Sequence, residues 1–146
     1  MTLTSKVNVR KLPDGKQVEA EIAGHKILFD ESEKDGGPGK GPGPVSMMLA
    51  CLGACQTMTA HSIAKKMRIE LKGFSVDVEG DLDSDALNQK EGAPRGLTEV
   101  RYHMHFETDA PKEKVEKLAA LVEEYCPVEN SFRNAIKLVR SGLSIT

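Results

Sequence analysis

GPGPVSMMLACLGACQTMTAHSIAKKM, residues 41–67, is the stretch on which the fold turns. Pro44 stands where proline suits the first turn of a helix, and after it the segment holds no further Pro and a single Gly. Val45, Met48, Leu49, Leu52, Cys55, Thr59, Ile63 and Met67 recur at intervals of three and four residues. The spacing predicts a helix from Pro44 to about Met67, roughly 33 Å long at 1.5 Å per residue. Ala, Cys and Met on its flanks leave little polar face in the first half, which is the pattern of a helix in the middle of a structure.

Upstream, alternation in residues 6–10, a Pro13-Asp14-Gly15 turn, and alternation again in residues 17–22 predict a β-hairpin, which residues 25–29 extend to a three-stranded meander. Residues 30–43, DESEKDGGPGKGPG, predict a loop, flexible and able to cover a cleft beside Cys55. Downstream, residues 72–80 and 99–107 alternate as two strands around a polar connection at residues 81–96. Thr108 or Asp109 is the expected cap of an amphipathic helix from Pro111 to about Tyr125. Cys126-Pro127 breaks that helix and starts a short one, and residues 136–145 are expected to close the fold as an edge strand.

The chain has 146 residues, a one-domain length, with 39% hydrophobic and 29% charged residues. Its formal net charge of -2 is spread along the whole length, so no basic footprint for nucleic acid or an anionic membrane is present. No apolar run suits a membrane span and no apolar stretch follows the N-terminal charges, so a soluble cytoplasmic protein is expected. In a reducing compartment three cysteines are expected as thiols. Aromatics are only 4%, with no Trp, which asks for an aliphatic, Met-rich core in which Met47, Met48 and Met58 take part.

Cys55 shares a helix face with Met48, Leu52 and Thr59, pointing it into the core or an apolar cleft. Cys126 lies at a helix N-terminus, where unpaired amides and the helix dipole favour the thiolate. Cys51, one helical turn before Cys55, reads as a core residue or an oxidation liability rather than as part of a metal site with His61 and Cys126. His103 and His105 share the wet face of a strand. The glycines of the loop lack a following Gly-Lys-Ser/Thr, so a phosphate cradle is not expected.

Gly41-Pro42-Gly43-Pro44, then Leu49-Ala50-Cys51-Leu52-Gly53-Ala54-Cys55, and much later Cys126-Pro127-Val128, resemble the OsmC/Ohr family of organic-hydroperoxide reductases. The resemblance implies an α+β fold with antiparallel sheets around a long central helix and an intertwined homodimer. It further implies one OsmC-like domain over residues 1–146: a meander to residue 30, the Gly/Pro-rich loop 31–43, and a helix-strand-helix core from residue 44. Cys55 matches the peroxidatic cysteine and Cys126 the resolving one, so a hydroperoxide substrate and an external dithiol are the expected partners, with no cofactor and no metal. Where the family usually places a Glu that orients an activating Arg, this chain has Ser46, and no Arg lies between Arg10 and Arg68. Lys40 is the candidate substitute, a point charge without a bidentate fork. The alternative function is an OsmC-like protein without peroxidase chemistry, serving in redox sensing or small-molecule binding.

Overall fold

A computed structural model describes residues 1–146, which form two compact units, residues 1–48 and residues 49–146. The first unit is an antiparallel meander of β1 (Val7–Lys11), β2 (Val18–Ile22) and β3 (His25–Phe29) in the order β1-β2-β3. Val7 pairs with Ile22 and Lys11 with Val18, and on the other side of β2 Val18 pairs with Phe29. The two-residue turn Ala23-Gly24 has positive φ at both positions, 48° and 83°, the conformation whose twist suits a tight hairpin. Arg10 and Glu19, directly opposite each other, form an ion pair of 2.7 Å.

The Gly- and Pro-rich loop is more organised than its composition suggests. Asp30 is buried, and its carboxylate accepts from the backbone N–H of Glu31 (2.8 Å), that of Lys40 (3.0 Å) and the Gln17 amide (3.3 Å). Burial alone would push this carboxyl up, but those donors outweigh it and hold Asp30 below the ordinary carboxylate range. A 3-10 turn, Glu33–Asp35, capped by Ser32, lies inside the loop.

α1 (Pro44–Lys66) matches the expected helix almost to the residue. Its buried face is Leu52, Gln56, Ala60 and Ala64, one residue per turn. β4 (Gly73–Leu82) and β5 (Leu97–Glu107) form one long antiparallel hairpin from Gly73 opposite Glu107 to Leu82 opposite Leu97, with a register shift at Asp81/Leu82. Phe74, Val76 and Val78 alternate with exposed Ser75, Asp77 and Glu79, so one face is available for packing. Gly53 brings α1 close to it: a Cβ there would sit 3.3 Å from Val78 Cγ2. Ala60, Ala64, Ile69, Leu118 and Val122 form the core, with Phe74 and Phe106 packed edge to face at 4.9 Å against it.

α3 (Lys112–Tyr125) and α4 (Pro127–Arg133) follow. Four expectations change. The connection 81–96 contains a short helix, α2 (Ser84–Leu87), because the Asp83 carboxylate accepts from Asp85 N–H at 2.8 Å. Neither Thr108 nor Asp109 caps α3; Pro111 occupies that position without a side-chain cap, and Thr108 instead accepts from Ala110 N–H and donates to Glu70 O. Residues 136–145 form no strand, since alternation prepares a strand but a neighbouring edge makes one. Met48 and Met58 are exposed rather than core, Met58 by 72%: the 3.6-residue repeat turns Met58 away from the Leu52–Gln56–Ala60 row, and Met48, one turn before Leu52, lies ahead of the first buried residue of that row. No helix is long and apolar enough to cross a membrane.

Candidate functional site

Cys55 is half-buried on α1 and lines an apolar groove of about 730 Å³ with Met58, Ile63, Leu121, Tyr125 and Pro127 among its walls. The groove runs down α1 to Lys66, three turns away on the same face. Cys126 is fully buried at the junction of α3 and α4. Pro127 disfavours helical ψ at the residue before it, and Cys126 accordingly has φ -71° and ψ 111°. Its backbone N–H closes α3 on Val122 O at 2.9 Å, while its Sγ caps α4 by accepting from Glu129 N–H at 3.4 Å. The two cysteines, far apart in sequence, meet at this junction, close enough for Cys55 to act on the Cys126 thiol.

The ionisation of Cys126 differs from expectation. Burial pushes its thiol up and the neighbouring Cys55 adds to the rise, which together outweigh the amides of Glu129 and Val128 that favour the thiolate. A helix N-terminus lowers a thiol pKa only when burial does not dominate.

Behind the cysteines lies a polar cluster that the sequence did not announce. Gln56, directly after Cys55, is fully buried and donates its amide to Glu129 Oε2 at 3.0 Å. Glu129 is itself 2% exposed; its Oε1 accepts from the Tyr102 hydroxyl (2.7 Å) and from Arg133 Nη2 (2.7 Å) and Nε (3.2 Å). Tyr102 also meets Glu123 at 3.0 Å, and burial followed by these two carboxylates pushes its phenol far above its ordinary value. Gln56 Oε1 has no partner. Turning the amide over would set that oxygen against the Glu129 carboxylate, so the orphan is fixed by the donor it serves. A polar Gln in the row Leu52–Ala60–Ala64, and a Glu three residues after the α4 cap, were the signals available in the sequence.

The remaining candidates lie elsewhere. Ser46 is exposed in the first turn of α1, which carries no acidic residue there. Lys40 is exposed, tied by its backbone N–H to Asp30. Cys51 is exposed, not core, because its turn of α1 buries Leu52 instead. His103 and His105 are exposed on one face of β5 with ring centroids 4.5 Å apart, and His105 Nε2 lies 2.7 Å from Asp77.

The model of OsmC-like proteins matches residues 37–139. Protein YhfA of Escherichia coli K12 is 31% identical over 123 residues, 82% of each chain. A hydroperoxide reductase of Mycoplasma genitalium is 26% identical over 135 residues, 92% of this chain and 91% of that protein. The crystal structure of an OsmC-like protein from Mycoplasma pneumoniae superposes with a TM-score of 0.79 at 21% identity, covering 92% of this chain and 91% of that one. The α+β architecture of helix, long hairpin and paired C-terminal helices is therefore the OsmC fold, and the chain belongs to the OsmC-like protein family.

Proposed function

We propose that this protein is a thiol-dependent peroxidase acting on organic or small hydroperoxides. The observation that carries the reading is the juxtaposition of Cys55, at the wall of an apolar groove, with buried Cys126 behind it. The Cys55 thiolate attacks the distal peroxide oxygen: an S–O bond forms, the O–O bond breaks, and the alkoxide leaves as the alcohol after taking a proton. Cys126 then attacks the Cys55 sulfur; an S–S bond forms, the S–O bond breaks, and water departs. An external dithiol reduces the disulfide by exchange. The apolar walls suit the organic part of such a substrate, and the M. genitalium relative named a hydroperoxide reductase supports the same reading.

A homodimer belongs to the same proposal. Exposed Val7 and Val9 on β1, Met58 on α1 and Leu138 and Ile145 near the C-terminus are apolar surface that a second copy would cover.

Ser46, in a first turn without a carboxylate, favours the second reading, a redox-sensing or small-molecule-binding protein without turnover. Peroxide consumption with dithiothreitol separates the two: the enzyme reading requires wild type to exceed Cys55→Ser clearly, and equal background rates end it.

A further inference from the structure

We propose that Gln56, Glu129, Tyr102 and Arg133 form a positioning clamp that holds Cys126 against Cys55 and so sets the rate at which the disulfide closes. The inference rests on the thiol-pair reading above. Its geometry centres on Glu129. Glu129 acts at both ends: its backbone N–H donates to Cys126 Sγ at 3.4 Å, and its carboxylate accepts from Gln56, the residue next to Cys55, at 3.0 Å. The first turn of α4 is thereby tied to the one turn of α1 that carries the partner cysteine.

Tyr102 fixes the same carboxylate to β5, and Arg133, one turn along α4, sits on it at 2.7 Å. The Arg133 guanidinium also donates to the Tyr102 hydroxyl at 3.1 Å, closing the ring of contacts. A carboxylate 2% exposed costs folding energy unless each oxygen is paired, and here both are. In a capping box the residue at this position would turn its carboxylate back to the cap's own N–H. That N–H is instead committed to Val122 O, leaving the Glu129 side chain free to reach α1.

The orphan Gln56 Oε1 points the same way. An unpaired buried acceptor is retained although a Leu or Met would fill the position without it. What those residues cannot supply is the N–H that meets Glu129. Holding the second sulfur in line raises its effective concentration, and that accelerates S–S formation without touching the attack on peroxide.

The test follows each half-reaction in the full-length protein. Reduced protein receives one equivalent of cumene hydroperoxide; Cys55 sulfenic acid is trapped with a cyclic dione and the disulfide is counted by mass. Glu129→Ala and Gln56→Leu should oxidise Cys55 within about twofold of wild type, yet close the disulfide about tenfold or more slowly, so that trapped sulfenic acid accumulates. Glu129→Gln, which can still pair with Gln56, should recover most of the rate. Tyr102→Phe removes one hydroxyl with little risk to folding and should fall between.

A glutathione redox buffer gives a peroxide-free readout, in which loss of the clamp lowers the disulfide equilibrium constant by about tenfold, equal to about 30 mV. Wild type that never reacts with peroxide, while the buffer shift appears, removes the peroxidase reading and leaves the clamp standing. Variants that close the disulfide at the wild-type rate and show no shift overturn the clamp.

Discussion

Replacing Cys126 by Ser and by Val separates what its sulfur does for the fold from what it does for chemistry. Sγ accepts from Glu129 N–H at 3.4 Å and caps α4, and the residue is fully buried. Ser keeps an acceptor at the cap and is among the preferred capping residues, a contribution of about 0.5–2 kcal/mol relative to a non-capping side chain. Against this, its hydroxyl proton is buried and wants an acceptor of its own, so the two effects leave Cys126→Ser within about 1 kcal/mol of wild type. Val fills the space equally well but leaves the Glu129 N–H buried and unpaired, costing about 1–3 kcal/mol. Urea unfolding of the reduced proteins should place Cys126→Ser near wild type and Cys126→Val below both. With a slope of about 2 kcal/mol/M, the Val midpoint falls by roughly 0.5–1.5 M. Equal losses in the two variants, or none in Val, would refute the capping argument. In the peroxide assay the proposed mechanism leaves both variants without a resolving sulfur, so Cys126→Ser should be a folded protein arrested at the Cys55 sulfenic acid.

Alkylation of the native protein should proceed in the order Cys51, Cys55, Cys126, following their exposed, intermediate and buried positions, as read by peptide mass. Because the folded Cys126 pKa lies above the ordinary value of 9.0, the folded form keeps a proton that the unfolded form releases; the stabilisation is present below pH 9 and is lost as pH rises through the folded value. The urea midpoint of wild type should therefore drop in that alkaline range, and Cys126→Ser should flatten the fall. Leu118→Ala, at a fully buried core position, should cost about 2–5 kcal/mol in the same experiment, and a loss under 1 kcal/mol would mean that the site collapses to fill the cavity. Asp30→Ala should expose residues 30–43 to limited proteolysis well before the rest of the chain unfolds, since three donors then lose their acceptor.

The periodicity of residues 44–67 was legible because a long helix repeats one rule many times, and the strands of both sheets showed the same redundancy in their alternation. The break between helices at Cys126 was legible through Pro127, whose covalent geometry constrains Cys126 whatever surrounds it. What failed was everything that depends on a partner. The capping of α3 went to Pro111 because Thr108 found Glu70, a choice between two acceptors that the local sequence does not rank. Residues 136–145 have a strand's pattern and no strand's neighbour. Cys126 sits at a helix N-terminus, yet its burial and Cys55, both products of tertiary packing, decide its proton affinity.

Gln56 shows why such a site resists sequence reading and still obeys simple chemistry. Within the row Leu52–Gln56–Ala60–Ala64, whose other members are apolar, an amide looks like a defect. It becomes intelligible only once α4 is in place, because Glu129 would otherwise be a buried carboxylate short of a donor. Each is unfavourable alone, and the Gln56 amide N–H and Glu129 Oε2 satisfy one another. A pair of that kind fixes the register of α4 on α1 more sharply than apolar packing does, since a Leu can slide by half an ångström with little loss whereas a buried hydrogen bond cannot. The two sulfurs are held by the same two helices and inherit that precision.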